Sequence, residues 1–66
     1  MRIEILLKEI REERNISLRR LSQITGMSPG HLSRIENGET MPTILSIERI
    51  AIALRVKSNE LYKVIR

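Results

Sequence analysis

Apolar side chains near the N-terminus recur at three- and four-residue spacing, with polar residues between them. Within residues 2–14, Ile3, Leu7 and Ile10 follow this spacing, which is the period of an α-helix. Asn15 comes next, and asparagine tolerates the left-handed conformation in which many helices end. The pattern therefore predicts a first helix over residues 2–14.

The middle of the chain predicts two short helices. Ser17 and Gly26 would cap the start and the end of the first of them, and Ser28 followed by Pro29 is typical of the start of the second. The second helix would stop at Asn37, before a glycine. The apolar positions of the two helices are Leu18, Leu21, Ile24, Leu32 and Ile35. Two helices of about nine residues with a short glycine-containing turn are typical of a helix-turn-helix, although a tight corner in any small bundle has the same spacing.

The last third of the chain predicts a longer helix and a short one. Thr43 would cap the longer helix, and Ser58 or Asn59 would cap a final helix that contains Leu61 and Tyr62. The buried face of the longer helix would consist of Ile44, Ile47, Ile50, Ala51 and Leu54. We therefore expect an all-α fold of five helices without strands, in one domain over residues 1–66, with the helix-turn-helix at about 17–37.

Composition narrows the function classes. The 66 residues include no cysteine and one histidine, which excludes disulfides and a zinc finger with four N or S ligands. The longest apolar run is the five residues 50–54, far shorter than a bilayer requires, so no membrane span is expected. The charged residues near the N-terminus do not fit a secretory signal, and we expect a cytoplasmic location. The 12 basic and 8 acidic residues leave a net charge of +4, which favours a polyanionic partner.

The face that the helix at 28–36 turns outward carries small polar groups. An ideal helix places Gly30, Ser33, Arg34 and Asn37 opposite the buried Leu32 and Ile35. Arginine can bond to both O6 and N7 of guanine, and serine can bond to several bases. A merely solvated face is the alternative interpretation.

Catalytic groups are sparse. His31 has neither a cysteine nor a second histidine beside it, so we interpret it as a surface residue or a phosphate contact. We expect no enzyme activity, cofactor, metal or small-molecule ligand.

Several segments of the sequence resemble the Xre family, the phage repressor and Cro type of helix-turn-helix proteins. The matching segments are residues 7–14 (LKEIREER), 16–17 (IS), 24–27 (ITGM), 32–38 (LSRIENG), Pro42 and 50–54 (IAIAL). The resemblance covers roughly residues 3–62. It implies five helices and a two-fold dimer on a palindromic DNA operator.

The resemblance also implies roles for individual residues. Base-reading positions would be Pro29, Gly30, Ser33 and Arg34. Phosphate contacts would come from Ser17, Leu18, Arg19, Asn37, Thr40 and Met41, with His31 beside them. Arg11 would pair with Glu36 and tie the first helix to the end of the recognition helix.

Two departures from the family pattern matter. Family members often have glutamine at the position of Leu18, where it holds a phosphate, whereas here only the backbone of Leu18 and the adjacent Arg19 can do so. Pro29 and Gly30 replace long polar side chains, so direct readout would fall mainly on Arg34 and Ser33. A short and permissive DNA consensus is expected.

Some apolar residues exceed what a core needs. Leu45 and Ile52 lie seven residues apart outside the predicted buried face, and Val64 and Ile65 follow near the C-terminus. Exposed apolar patches often mark interfaces, so these four residues are the predicted homodimer surface. The alternative is that they close over the core from its edge.

The sequence therefore predicts a homodimeric, DNA-binding transcriptional regulator of the repressor kind. The alternative is an antitoxin-like or other protein-interaction module of the same fold.

Overall fold

The computed structural model describes all 66 residues. In chain order the elements are β1 (Arg2–Ile5), α1 (Leu7–Glu13), α2 (Leu18–Thr25), α3 (Pro29–Glu36), α4 (Ile44–Leu54), a 3₁₀ turn (Ser58–Glu60) and β2 (Tyr62–Ile65). None of the helices has the length and apolar character needed to cross a bilayer.

Three of the predicted helix starts are confirmed. Ser17, Ser28 and Thr43 are the N-cap residues of α2, α3 and α4, and each hydroxyl accepts a backbone N–H from three residues further on. The donor–acceptor distances are 3.0, 3.1 and 3.1 Å. Gly26 ends α2 with a φ of 75°, the left-handed conformation expected of a glycine there. Local capping chemistry therefore sets these boundaries.

The prediction of a small, mostly helical helix-turn-helix domain is confirmed, but the prediction that the fold is all-α and has no strands is wrong. Residues 2–5 form β1 instead of the first turn of a helix, and β1 pairs antiparallel with β2, with Arg2 opposite Ile65 and Ile5 opposite Tyr62. The pairing satisfies backbone groups at both ends of the chain. Helix α1 starts only at Leu7. The fold is thus four α-helices and a two-stranded sheet.

The fifth predicted helix is a single 3₁₀ turn. Its N-cap is Lys57, not Ser58 or Asn59, and the backbone N–H of Lys57 donates to the Glu60 carboxylate at 2.7 Å. The chain becomes extended immediately afterwards, because Tyr62 already belongs to β2.

The core consists of nine buried aliphatic or methionine side chains, and no polar side chain is buried with them. They are Leu7, Leu21, Met27, Leu32, Ile35, Ile50, Ala51, Leu54 and Leu61. Two predicted core residues are exposed, since Ile24 is 45% exposed and Ile44 is 85% exposed, while Leu18 and Ile47 are partly buried against the core. Ile44 is the first residue of α4 and lies about 70° from the centre of its buried face, so no neighbouring element covers it. Ile24 faces a depression between α2 and α4.

Candidate nucleic-acid interface

The corner between α2 and α3 is held by side chains that bond to the backbone. The Ser22 hydroxyl donates to the carbonyl of Met27 at 2.6 Å, and the Thr25 hydroxyl donates to the carbonyl of Leu21 at 2.8 Å. The Thr25 oxygen also accepts the N–H of Met27 at 3.2 Å. Met27 is itself buried, and Gly26 supplies the left-handed residue. The bonds of Ser22 and Thr25 to Met27 therefore tie the turn that leads into α3 to the last residues of α2.

Helix α3 is anchored by one face and presents the other to solvent. Leu32 and Ile35 are fully buried. On the opposite side Pro29, Gly30 and Arg34 are exposed, while Ser33 is half-buried. The structure thus brings the four predicted base-reading residues together along one side of α3.

Gly30 and Arg34 lie next to each other on this outer face. A Cβ added to Gly30 would sit 3.7 Å from Nη1 of Arg34, so the guanidinium extends over the position where a side chain is missing. The ion pair between Arg11 and Glu36 is the only one within 4.0 Å, which leaves Arg34 without an acidic partner. The outer face of α3 therefore has at Gly30 a position without a side chain, where another molecule can approach the backbone. Beside it lies the Arg34 guanidinium, whose N–H donors have no acidic partner.

The start of α2 lies on the same helix-turn-helix unit. Ser17, Arg19 and Arg20 are exposed and Leu18 is half-buried. The N–H groups of Leu18 and Arg19 have no acceptor within the protein, because the first turn of a helix has no preceding helical carbonyl to bond to. The Ser17 hydroxyl cannot serve them, since it accepts the N–H of Arg20. Free N–H groups at a helix start attract phosphate, so the predicted phosphate contact at Leu18 is available through its backbone.

The other predicted phosphate contacts follow the end of α3. Asn37 caps α3 and is exposed, Thr40 is half-buried and Met41 is 62% exposed. These three residues line a shallow depression together with β1, including Arg2. No sequence pattern pointed to Arg2, because its position next to the connector depends on a strand where the periodicity predicts a helix. Arg2 is therefore an additional candidate for a phosphate contact.

Arg11 and Glu36 hold the far end of α3 in place. Nε of Arg11 lies 2.6 Å from Oε1 of Glu36, and Nη2 lies 3.4 Å from Oε2. Nη1 of the same guanidinium donates to the carbonyl of Ile16 at 2.9 Å. The two side chains are only 13% and 7% exposed. This pair joins α1, the loop before α2 and the last residue of α3.

His31 is half-buried on α3, beside the outer face, and its backbone N–H donates to the Ser28 cap. The cap serines Ser17 and Ser28 accept backbone N–H bonds, which is a structural use of their oxygens. The arrangement of small polar groups and one arginine suits contact with base edges and phosphates.

The four predicted dimer residues lie on two elements. On α4, Leu45 is 62% exposed and Ile52 is 78% exposed. On β2, Val64 is 46% exposed and Ile65 is half-buried. Consecutive strand residues point to opposite faces, so Val64 and Ile65 cannot face the same partner surface. Val64 shares its face with its cross-strand neighbour Ile3.

Comparisons with known proteins agree with this geometry. A family model described as helix-turn-helix matches residues 7–61. The HTH-type transcriptional regulator SutR of Escherichia coli is 42% identical over 50 residues, which are 76% of this chain and 28% of that protein. The ImmF control region 10 kDa protein of Bacillus phage phi105 is 36% identical over 56 residues, covering 85% of this chain and 62% of that protein. The HTH-type transcriptional repressor RghR of Bacillus subtilis is 37% identical over 51 residues, covering 76% of this chain and 38% of that protein.

The matched segments thus span between 28% and 62% of these relatives' own lengths. The residues that the family model matches contain α1 to α4 and the 3₁₀ turn, including the α2–α3 corner. The chain belongs to the helix-turn-helix family of the Xre and Cro type.

Proposed function

We propose that this protein is a DNA-binding transcriptional regulator of the repressor kind, which inserts α3 into the major groove of its operator. The observation that supports this function best is the outer face of α3, where Pro29, Gly30 and Arg34 are exposed on a rigid corner. The relatives named as transcriptional regulators and as a repressor share this part of the chain.

In the proposed complex, Arg34 carries most of the base recognition. Its guanidinium makes no ion pair within the protein and can donate two bonds to O6 and N7 of one guanine. Ser33 lies beside it and is half-buried, which limits its reach to one short contact. The absence of a side chain at Gly30 allows the helix backbone to approach the base pairs closely.

Phosphates on both sides of the groove would then be held by two separate surfaces. Ser17, the backbone N–H of Leu18 and the side chain of Arg19 would contact one strand. The second surface would consist of Asn37, Thr40, Met41 and the newly placed Arg2, with His31 at the margin of α3. These contacts would supply affinity without sequence information.

The experiment that tests base recognition is a binding measurement on sites selected from a random DNA pool. Arg34→Ala should weaken binding to the selected site by about 1–3 kcal/mol and relax the preference at one base pair of each half-site. Binding to random duplex should fall much less. Arg66→Ala, another exposed arginine, is the matched control and should leave the preference unchanged. An equal loss on selected and random DNA would make Arg34 a phosphate contact and overturn the assignment.

We further propose that the regulator binds a palindromic operator as a homodimer. The dimer surface would be formed by Leu45, Ile52, Val64 and Ile65, with Val64 rather than Ile65 facing the partner on the sheet. A single module buries little surface on DNA, and a two-fold dimer doubles it. The two copies of α3 would lie about 34–36 Å apart, one helical turn of the duplex.

Leu45→Glu tests the homodimer. The variant should sediment as a folded monomer and should lose binding to the selected site, while Asn59→Glu, which adds the same charge at another exposed position, should change neither property. A Leu45→Glu protein that still sediments as a dimer would place the interface elsewhere. A selected DNA site with one unrepeated half would argue against the palindrome.

A further inference from the structure

A second surface with a distinct composition lies between α2 and α4. It is a depression of about 490 Å³ to which α2 contributes Arg20 and Ile24, and α4 with its C-cap contributes Arg49, Ile52 and Arg55. No residue of α3 lines it, but Arg20 lies next to Arg19 at the start of α2, where phosphate contacts are proposed. The depression is therefore a surface distinct from the outer face of α3, with Arg20 at the boundary between the two.

The charge of this depression is unbalanced. Arg20, Arg49 and Arg55 are all exposed, and no acidic residue lines the depression. None of the three guanidinium groups forms an ion pair within the protein, since the only ion pair lies between Arg11 and Glu36. Like charges held close together repel one another, and an acidic ligand would remove that repulsion.

The same depression has an apolar component. Ile24 is 45% exposed and Ile52 is 78% exposed, although both belong to otherwise amphipathic helices. Exposed isoleucines surrounded by arginines resemble the composition of a binding surface, with an apolar centre and a charged margin. A ligand that fits must therefore offer apolar groups and negative charges together.

We propose that this depression, the α2–α4 arginine surface, binds an acidic amphipathic segment of another protein. Carboxylates of the segment pair with the guanidinium groups in two-donor geometry, and its apolar side chains cover Ile24 and Ile52. Ile52 also belongs to the proposed dimer surface, so the segment and a second copy of this chain would compete for that residue. A two-fold contact centred on the depression itself fits poorly, because it sets the three arginines opposite the same three arginines. Nucleic acid matches the charge but leaves the isoleucines uncovered.

The probe for this proposal is a synthetic helical peptide of 14 residues, with leucines along one face and glutamates on the other. We expect the peptide to bind with an affinity that falls as salt rises, and to shift the methyl resonances of Ile24 and Ile52 in NMR spectra. A peptide with lysine in place of glutamate should not bind. Polyglutamate, which has no apolar face, should bind at least tenfold more weakly.

Two single charge reversals locate the site. Arg20→Glu and Arg49→Glu should each lower the affinity for the acidic peptide at least tenfold, and Arg66→Glu, outside the depression, should leave it within twofold. Glutamate at position 20 is compatible with the fold, because the third residue of a helix favours it beside a serine cap. Circular dichroism of each variant verifies folding, and the test needs no DNA, so it is independent of the proposed operator binding.

Several outcomes would overturn the proposal. These are an acidic peptide that fails to bind at millimolar concentration, or binding that both reversals leave unchanged. Equal affinity for polyglutamate would reduce the surface to a non-specific cation patch. Shifts of the Ile24 and Ile52 methyls caused by random duplex DNA or by anionic lipid vesicles, but not by the peptide, would assign the surface to those partners instead.

Discussion

The α2–α3 corner and the β1–β2 sheet are stabilised over different ranges of sequence. In the corner, the caps and turn bonds made by Ser17, Ser22, Thr25 and Ser28 connect residues no more than five positions apart. In the sheet, each pair joins one end of the chain to the other, such as Arg2 with Ile65. The bonds of the corner are thus local, although α3 also packs on the core through Leu32 and Ile35, whereas the sheet is made entirely of pairs between the two ends of the chain.

Substitutions on the outer face of α3 and substitutions in the sheet should therefore have different effects on DNA binding. The outer residues of α3 make no contact that the corner needs, so they can change without altering its geometry. A change in the sheet affects the position of Arg2 beside the connector, and with it a proposed phosphate contact. Changes on the outer face of α3 should therefore alter the sequence preference, whereas changes in the sheet should alter the affinity for all DNA sequences alike.

The largest expected effect comes from breaking the link between α1 and the end of α3. Arg11→Ala leaves the carboxylate of Glu36, only 7% exposed, without its partner and removes the bond to the Ile16 carbonyl. The pair is partly buried, and a carboxylate left without its partner there costs about 1–3 kcal/mol, so the free energy of unfolding in urea should fall by this amount. Arg14→Ala, an exposed arginine at the end of the same helix, should change it by less than about 0.5 kcal/mol. A loss below about 1 kcal/mol for Arg11→Ala would mean that the pair contributes as little as a surface pair.

A smaller effect is expected from removing either of the two serine caps of the corner. Ser17→Ala and Ser28→Ala each remove one cap, and each should lower the free energy of unfolding by about 1 kcal/mol. The two variants should differ in DNA binding, measured well below their melting temperatures, because only Ser17 is proposed to contact phosphate. Equal DNA affinities of the two variants would remove Ser17 from the interface.

The smallest effect concerns the sheet. Lys63→Glu places a like charge directly opposite Glu4 and should destabilise the protein by about 0.2–1 kcal/mol. The double variant with Glu4→Lys restores opposite charges and should recover most of the loss. Amide exchange in α3 should stay unchanged in both, since its anchoring residues lie elsewhere. A double variant that is no more stable than Lys63→Glu alone would show that this cross-strand pair does not contribute.

The parts of the fold that the sequence predicts correctly are those determined by neighbouring residues. Ser17, Gly26 and Ser28 carry their capping chemistry in their own side chains or backbone, and the structure places all three as expected. The strand at residues 2–5 was missed even though its polar and apolar residues alternate. Four alternating residues are also compatible with the start of a helix, and the strand partner lies about sixty residues away.

For surface residues as well, the sequence predicts local properties but not which residues of different elements lie together. Helical periodicity correctly indicated that Leu45 and Ile52 are exposed and that Leu32 and Ile35 are buried. Periodicity does not indicate which residues of different helices lie together. The convergence of Arg20 from α2 with arginines of α4, and of Arg2 with the connector, therefore became apparent only from the tertiary structure.

The pairing of β1 with β2 also has a consequence for the topology of the chain. Because Arg2 lies opposite Ile65, the two ends of the polypeptide are separated by about one inter-strand distance. A few added residues would suffice to join them into a closed ring without disturbing a helix. Such a ring restricts the unfolded chain, and for a loop of this length the entropy removed corresponds to as much as about 4 kcal/mol. Backbone cyclisation should therefore raise the melting temperature without adding a single contact to the native fold.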